Sequence, residues 1–294
     1  MAIKIITDSG SDLPQEYVEK FDISIIKLAV HFENEKAHED MDTETFYAKM
    51  RESKELPTTA SPSPMQFLEK FKEVEEGTDI LVISMSSNIS STYQTAMIAK
   101  EMYEDEGHTN KIEVIDSKTF SGGLSLVVAM AAKWSESCSC IVELKDKVNH
   151  YIKGVSAFFT LDTLENVMKG GRLSRISGTV ASVMNIKLLL KISEEGTVEV
   201  MGKTRGIQKA ITSLLARLEE KQHDYEKAVI AIVHSNCEKR ALEVKNRILE
   251  KHPFKEVLFS NMGPLWELMR AKVELDWLFN HDSDTRYIEE ENPG

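Results

Sequence analysis

Residues 79–96, DILVISMSSNISSTYQTA, carry the clearest indication of the fold. Their apolar run, Ile80–Ser84, predicts a buried strand, and a helical pattern, Thr92–Tyr103, begins after a short segment rich in serine. A strand followed by a small polar turn and a helix is typical of a parallel sheet with crossover helices. Ligands of such sheets bind at the carboxyl edge of the strands, which is where these serines lie.

The same alternation extends from this stretch toward both ends of the chain. Apolar runs predict three more strands in the first half, at Ile3–Thr7, Ile23–Val30 and Ile112–Ile115. Helical patterns between and after them predict helices at Gln15–Phe21, Thr43–Arg51, Met65–Val74, Leu124–Trp134 and Ile141–Tyr151. Helices that alternate with strands in this way indicate βαβ units.

A second block of elements begins near residue 153. The sequence predicts strands at Val155–Thr160, Leu188–Ile192, Val198–Met201, Ala228–His234 and Glu256–Ser260. It predicts two helices between residues 161 and 184 and two more at Ile207–Lys221 and Lys239–Lys251, with a hairpin turn at Glu194–Gly196. We therefore predict an α/β fold of two domains. An N-terminal parallel sheet with flanking helices spans residues 1–152, a smaller α/β domain spans residues 153–294, and the acidic tail, residues 287–294, is disordered.

Composition and charge exclude several classes of protein. The 294 residues include 36 basic and 48 acidic side chains, a net charge of −12, which argues against binding to a nucleic-acid backbone. No apolar run reaches the roughly 20 residues that span a bilayer, so no integral membrane segment is expected. Three cysteines cannot form a framework of disulfides, and the eight histidines lack metal-ligand spacing. We expect a cytoplasmic protein without a metal or cofactor.

Small polar residues cluster where the predicted strands end. The clusters are Thr7–Asp12, Pro57–Pro64, Ser86–Tyr93 and Asp116–Ser117. Each cluster alone is explained as a turn and a helix N-cap. Together, hydroxyl groups beside helix N-termini predict a site for an anion such as a carboxylate or a phosphate. Additional residues predicted to line this site are Asp8, Ser9, Ser61, Ser91, Asp116 and His234.

Other chemistry is less well supported by the sequence. Ser90 as the nucleophile of an acyl-ester hydrolase is the principal alternative, although Ile89 and Ser91 do not form a Gly-x-Ser-x-Gly elbow. Cys237 beside His234 is explained either as a nucleophile or, more simply, as a buried structural thiol. A sensor of small anions would use the same helix N-termini. Arg172, after two glycines, either decorates a turn or is displayed for an anion or a partner.

Taken in order, these motifs resemble the DegV family of bacterial fatty-acid-binding proteins. The matching segments are Thr7–Ser9 with Asp12–Leu13, Thr59–Ser63, Ser86–Ala96, Val114–Ser117, Gly170–Ser174 and Ile186–Lys187. The resemblance runs from residue 3 to about residue 264. It implies a carrier that holds a long-chain fatty acid in a buried tunnel, with no catalytic residue of its own and the lipid as its only ligand.

The resemblance also assigns roles to individual residues. The hydroxyl groups that bind the fatty-acid carboxylate fall on Thr59 and Ser90, and Ser91 replaces the usual glycine of the second loop. A separate fatty acid kinase is implied as the partner that converts the bound carboxylate to an acyl phosphate for phospholipid synthesis. Arg172 and Lys203 match the positions that contact this kinase, and Lys203 replaces an arginine.

One segment, residues 265–277, departs from the family pattern. Family members carry a glycine-rich stretch with a carboxylate-binding His after Gly263-Pro264, whereas this chain continues LWELMRAKVELDW. When the codons are read one frame away, the Trp266–Glu267 junction must encode glycine, and the remaining junctions permit the family pattern. We therefore hypothesise two compensating one-base shifts, either in the gene or in the nucleotide sequence as it was determined.

Overall fold

A computed structural model describes residues 2–33, 43–53, 57–161, 186–219, 224–235 and 237–263, and the backbone of residues 275–281. Six strands lie in the N-terminal half: β1 Ile3–Asp8, β2 Ser24–Ile26, β3 Ala29–His31, β4 Thr58–Ala60, β5 Asp79–Ser84 and β6 Ile112–Asp116. Six helices accompany them: α1 Gln15–Lys20, α2 Thr43–Glu52, α3 Pro64–Lys72, α4 Thr92–Asp105, α5 Gly122–Ser135 and α6 Ile141–Gly154.

The first sheet has the order β2-β1-β5-β6, and all of its strand pairs are parallel. Every residue of β5 is buried, because helices cover both faces of the sheet. The predicted parallel sheet is therefore confirmed. The chain passes from β1 to β2 on one side and to β5 on the other, so a topological switch point lies between β1 and β5.

The C-terminal half forms a six-stranded mixed sheet. Its strands are β7 Val155–Leu161, β8 Ile186–Ile192, β9 Val198–Arg205, β10 Val229–Ser235, β11 Glu256–Asn261 and β12 Leu275–His281, in the order β11-β10-β12-β7-β8-β9. Only the β10–β11 pair is parallel. Helices α7 Ile207–Glu219 and α8 Glu238–Leu249 bury an apolar face against this sheet.

Helix α5 lies between the two sheets and joins them into one apolar core. Ten of its fourteen residues are buried, because it contacts β1 and β5 on one side and β7, β10 and β12 on the other. Side chains from both halves therefore share one cluster, in which Leu126 and Leu190 are fully buried. By the usual figure of 25 cal/mol per Å², each such side chain contributes about 2 kcal/mol to the stability.

The structure differs from the sequence-based prediction at three places in the described residues. The strand predicted at Ile23–Val30 is two strands, because the amide of Leu28 donates to Ser9 Oγ (3.0 Å) instead of continuing the ladder. The loop around Thr59 forms β4, which pairs antiparallel with β3. Strand β12 was not predicted. The helices predicted between residues 161 and 184 lie outside the described residues, as does the acidic tail.

Candidate functional site

The candidate site lies at the carboxyl edge of the first sheet, beside the switch point. Strand β5 ends at Ser84 and leads into the loop Ser86–Ser91, here named the serine loop, which begins helix α4. Strand β4 brings the second predicted cluster to the same place, because Ser61 Oγ lies 2.8 Å from Ser90 Oγ. Two segments that are about thirty residues apart in the sequence therefore meet where a ligand of a parallel sheet is expected.

Four hydroxyl groups at this junction form a continuous hydrogen-bonded chain, here named the hydroxyl chain. Ser91 Oγ donates to Ser61 Oγ (2.9 Å), and Ser61 Oγ is joined to Ser90 Oγ. Ser90 Oγ is in turn 2.8 Å from Thr92 Oγ1. The chain runs from an exposed side chain, Ser91, to a fully buried one, Thr92. Since hydroxyl protons rotate freely, the chain can turn its donors toward an incoming anion.

The N-terminus of helix α4 supplies the positive electrostatic potential of this site. Ser91 is the N-cap residue, but its side chain bonds to Ser61 and makes no cap hydrogen bond. The Thr92 amide donates to Ser90 Oγ (3.3 Å), whereas the amides of Tyr93 and Gln94 have no side-chain acceptor among the described residues. The helix dipole adds a partial positive charge there. By contrast, Ser63 caps α3 through a complete capping box with Gln66. The N-terminus of α3 therefore has a side-chain cap, whereas the N-cap residue of α4 supplies none.

Thr59 lies on β4, opposite Val30 of β3, and its side chain is half-buried. Among the described residues its hydroxyl makes no hydrogen bond, so it is an available donor on the segment that carries Ser61. Thr59 and Ser61 are two residues apart in extended chain, a spacing that places side chains on the same face. The structure brings Ser61 together with Ser90 and Ser91, and Thr59 lies two residues before Ser61 on the same segment.

Asp8 is buried at the end of β1 and is satisfied by the backbone. Its two oxygens accept hydrogen bonds from the amides of Gly10 (2.9 Å) and Met85 (2.8 Å). Burial away from water raises the pKa of Asp8 to about 7, and the two amide hydrogen bonds oppose that rise. Because both oxygens have backbone partners, the geometry gives Asp8 a role in joining the ends of β1 and β5.

Asp116 also fixes the backbone of the serine loop. Its Oδ1 accepts from the amides of Ser87 (3.1 Å) and Lys118 (3.1 Å), and its Oδ2 forms an ion pair with Lys118 Nζ (2.6 Å). Ser9 acts in a similar way through its hydrogen bond to the Leu28 amide. Asp116 and Ser9 therefore hold the backbone around the hydroxyl chain and make no hydrogen bond to it.

His234 lies at the end of β10, on the face of the second sheet that carries Ile230 and Ile232 toward α7 and α8. Its ring packs against Phe259 with centroids 5.2 Å apart, and its buried Nδ1 has no partner among the described residues. Burial lowers the pKa of His234, which favours the neutral ring. The described contacts of His234 do not include the hydroxyl chain, so its predicted role at the site stays a prediction.

Of the two residues predicted to face a partner, Lys203 and Arg172, the structure describes only Lys203. Lys203 is exposed on β9 and, with Ile186, Thr204 and Arg205, lines a surface cavity of about 310 Å³. Among the described residues, neither Lys203 nor Arg205 has an ion-pair partner. Arg172 lies outside the described residues.

Sequence reasoning did not assign a role to Asp12, which joins the two halves of the molecule. Asp12 adopts a left-handed conformation (φ 47°) and is 8% exposed. Its carboxylate accepts from Ser121 Oγ (2.6 Å) and from the Gly263 amide (2.8 Å), and its carbonyl accepts from Ser260 Oγ (2.7 Å). The role of Asp12 could not have been assigned from motifs, because its partners are more than 100 residues away in the sequence.

The chain is an α/β protein in which a parallel and a mixed sheet share one core, with a cluster of neutral hydroxyl groups beside a helix N-terminus. The chain belongs to the DegV family. The family model, described as "Uncharacterised protein, DegV family", matches residues 2–268. The match ends within the segment that departs from the family's glycine-rich pattern.

Relatives and solved structures agree with this membership. The chain is 30% identical over 271 residues to a protein of Thermotoga maritima named "Fatty acid-binding protein", which covers 90% of this chain and 92% of the relative. A DegV family structure from Ruminococcus gnavus, refined with vaccenic acid, has a TM-score of 0.87 at 25% identity and covers 95% and 99% of the two chains. The Fatty Acid Kinase (Fak) B3 protein of Streptococcus pneumoniae, loaded with linoleic acid, has a TM-score of 0.83 at 26% identity, with coverage of 97% and 100%.

Two other features of functional sites are absent from the described residues. None of their helices is both long enough and apolar enough to cross a membrane. They contain no group of three or more His, Cys, Asp or Glu side chains placed to hold a metal ion.

Proposed function

We propose that this protein binds one long-chain fatty acid and that Thr59 and Ser90 hydrogen-bond its carboxylate. The hydroxyl chain carries this proposal, because it places several neutral donors at the uncapped N-terminus of α4. The relatives from Thermotoga maritima and Streptococcus pneumoniae, which are named for fatty acids, support the same ligand.

The direction of the hydroxyl chain suits a carboxylate at Ser90. Ser91 donates to Ser61, which leaves the proton of Ser61 free to point toward Ser90. Ser90 Oγ also accepts from the Thr92 amide (3.3 Å), so its own proton is the donor to Thr92 Oγ1, and this proton can rotate to a carboxylate instead. Donors that point in one direction polarise one another, and an anionic acceptor at the end strengthens each bond.

Neutral donors hold a carboxylate without a buried countercharge. A buried ion pair would have to overcome the desolvation of two charges, whereas hydroxyls and a helix N-terminus need only compensate the desolvation of one. The acyl chain needs an apolar path, and the core shared by α5 and both sheets supplies apolar side chains next to the site. The course of the proposed tunnel through this core stays a prediction.

The bound acid is proposed to be presented to a separate kinase, with this chain as a non-catalytic subunit in the cytoplasm. The resemblance to the Streptococcus pneumoniae Fak B3 protein supports a kinase partner. Arg172 and Lys203 are the proposed contacts, and the exposure of Lys203 suits that role. For the hydrolase alternative, a base would have to contact Ser90, whose hydrogen bonds among the described residues come only from hydroxyls and an amide.

Native mass spectrometry of protein purified from cells tests the lipid ligand. We expect a retained mass of a C14–C18 fatty acid. After delipidation, oleic acid should bind again, and methyl oleate should bind much more weakly because it lacks the anionic head. A chain that is purified empty and binds neither compound would contradict the proposed function.

Acyl-phosphate formation with the cognate kinase tests the partner. We expect Lys203→Ala and Arg172→Ala to slow phosphorylation while oleic acid still binds normally. Lys209→Ala is a matched control, since Lys209 is another exposed lysine of the C-terminal half, on α7. Equal phosphorylation by all four proteins, with the wild type as the fourth, would exclude these contacts.

A further inference from the structure

The turn between β8 and β9, residues Ser193–Thr197, packs against the serine loop from the other half of the molecule. Ser86 Oγ donates to the carbonyl oxygen of Gly196 (2.8 Å), and Asn88 Nδ2 donates to the carbonyl oxygen of Glu195 (2.6 Å). The Ser86–Gly196 bond is buried. The loop that carries Ser90 is therefore held from the C-terminal half as well as from its own sheet.

Gly196 permits this close approach for two reasons. Its φ of +81° lies in the region that favours glycine, and a Cβ atom there would lie 2.2 Å from Ser86 Oγ and 2.9 Å from the Lys118 carbonyl oxygen. Gly77 has nearly the same backbone conformation, with a φ of +87°, but nothing lies within 4 Å of a Cβ added to it. The two glycines thus share the same conformational strain on substitution, and only Gly196 has the steric contact.

Hydrogen bonds within the serine loop connect Ser86 to Ser90. The amide of Asn88 donates to Ser86 Oγ (3.2 Å), and the amide of Ser90 donates to the Ser86 carbonyl oxygen (3.1 Å). The amide of Ser86 is itself fixed by the Thr119 carbonyl oxygen (2.7 Å). A displacement of Ser86 by the turn therefore moves Ser90, the residue proposed to bind the carboxylate.

We infer that the β8–β9 turn is a positioning element for the carboxylate site, with Gly196 and Asn88 as its positioning residues. This inference rests on the proposed function. The ligand site is then complete only when the turn of the C-terminal half is seated on the serine loop. Because coupling between sites is reciprocal, a bound fatty acid must in turn stabilise the seated turn.

The delipidated full-length protein and its variants Gly196→Ala, Asn88→Ala and Gly77→Ala test this inference with oleic acid and methyl oleate as probes. We expect Gly196→Ala to weaken the binding of oleic acid at least tenfold and Asn88→Ala about two- to fivefold. The affinity for methyl oleate should change little, because the turn acts on the carboxylate end. Gly77→Ala should lower the melting temperature, by less than Gly196→Ala because it lacks the steric contact, without changing either affinity.

Hydrogen exchange of the wild-type protein provides a second measurement if Gly196→Ala does not fold. We expect oleic acid to slow amide exchange in residues 193–197, and we expect this protection to be reduced in Asn88→Ala. A folded Gly196→Ala that binds oleic acid like the wild type would overturn the inference, as would unchanged exchange in the turn. If the wild type does not bind oleic acid, the proposed function fails and the inference fails with it.

Discussion

Two clusters of small polar residues lie at the same edge of the first sheet, and they are built differently. In the first cluster, Asp8 and Asp12 are buried carboxylates whose hydrogen bonds come from backbone amides and from Ser121. In the second, the hydroxyl chain is half-buried, and its members bond mainly to one another. Similar residue types therefore have two roles. Those of the first cluster connect separate backbone segments, and those of the second supply hydrogen-bond donors.

Hydrogen-bond partners, more than residue types, therefore distinguish a structural cluster from a binding cluster. A group whose hydrogen bonds all go to fixed backbone atoms has none left for a ligand. A hydroxyl that is bonded to another hydroxyl can exchange that bond for one to an anion at little cost, because the protein backbone need not move. We therefore expect substitutions in the first cluster to change stability and substitutions in the second to change affinity.

The largest effect is expected for Asp12→Ala. This change leaves the Gly263 amide and Ser121 Oγ without an acceptor, and losing two hydrogen bonds to a charged group costs about 3–6 kcal/mol of unfolding free energy. Asp22→Ala is a matched control, since Asp22 has a similar φ of 48° but is 93% exposed. Chemical denaturation measures both variants. Equal losses for the two would show that backbone strain, and not the joining of the two halves, explains the effect.

The next largest effect concerns the pH dependence of stability at Asp8. Its pKa is raised in the folded state from 3.8 to about 7, so the free energy of unfolding falls as pH rises through that range, by up to about 4 kcal/mol at 1.36 kcal/mol per unit. Asp8→Asn cannot ionise. We expect the stability of the wild type relative to this variant to decline between pH 4 and pH 7. Parallel pH curves for the two proteins would contradict the buried, proton-linked carboxylate.

In the second cluster, Ser90→Ala and Thr59→Val are expected to weaken fatty-acid binding. Each removes one hydrogen bond to a carboxylate, worth about 1.5–3 kcal/mol, or roughly 10- to 150-fold in affinity. Calorimetric titration with oleic acid measures this loss, and thermal denaturation should show little change. If both variants lost stability and kept their affinity for oleic acid, the second cluster would have a structural role and not a binding role.

The smallest effect is expected for Ser91→Ala. The variant removes the first donor of the hydroxyl chain, a neutral hydrogen bond worth about 0.5–1.5 kcal/mol, so oleic acid should bind about two- to tenfold more weakly. Ser63→Ala is a control in the neighbouring loop, because Ser63 caps α3 and belongs to a capping box. The control should lower stability and leave affinity unchanged. The reverse pattern would remove Ser91 from the ligand site.

Much of the fold could be predicted from the sequence, because the strands of a parallel sheet are continuous apolar runs. Strands β5 and β6 were predicted within one residue at each end, since charged or polar residues mark their limits: Asp79 and Ser84 for β5, and Lys111 and Asp116 for β6. Strand β4 was not predicted, because Thr58–Ala60 is neither apolar nor bounded by such a contrast. Its pairing with Val30 is a tertiary contact that no local pattern encodes.

The motifs predicted which loops form the candidate site, but they did not show which residues of those loops are available to bind a ligand. Asp8 and Ser90 both follow a strand in a small polar segment, and only the structure shows that Asp8 is satisfied by two backbone amides. The role of Gly196 could not be predicted from the sequence either. The sequence predicted a hairpin turn there, but the contact with Ser86, 110 residues away, arises only when the two halves pack together.

We expect a crystal structure of the protein with bound oleic acid to place the carboxylate oxygens about 2.5–3.0 Å from Thr59 Oγ1 and Ser90 Oγ, at the N-terminus of α4 and with no lysine or arginine against them. A carboxylate that is instead paired with a basic side chain such as Lys203 or Arg205, with Thr59 and Ser90 uninvolved, would show that the proposed site is wrong.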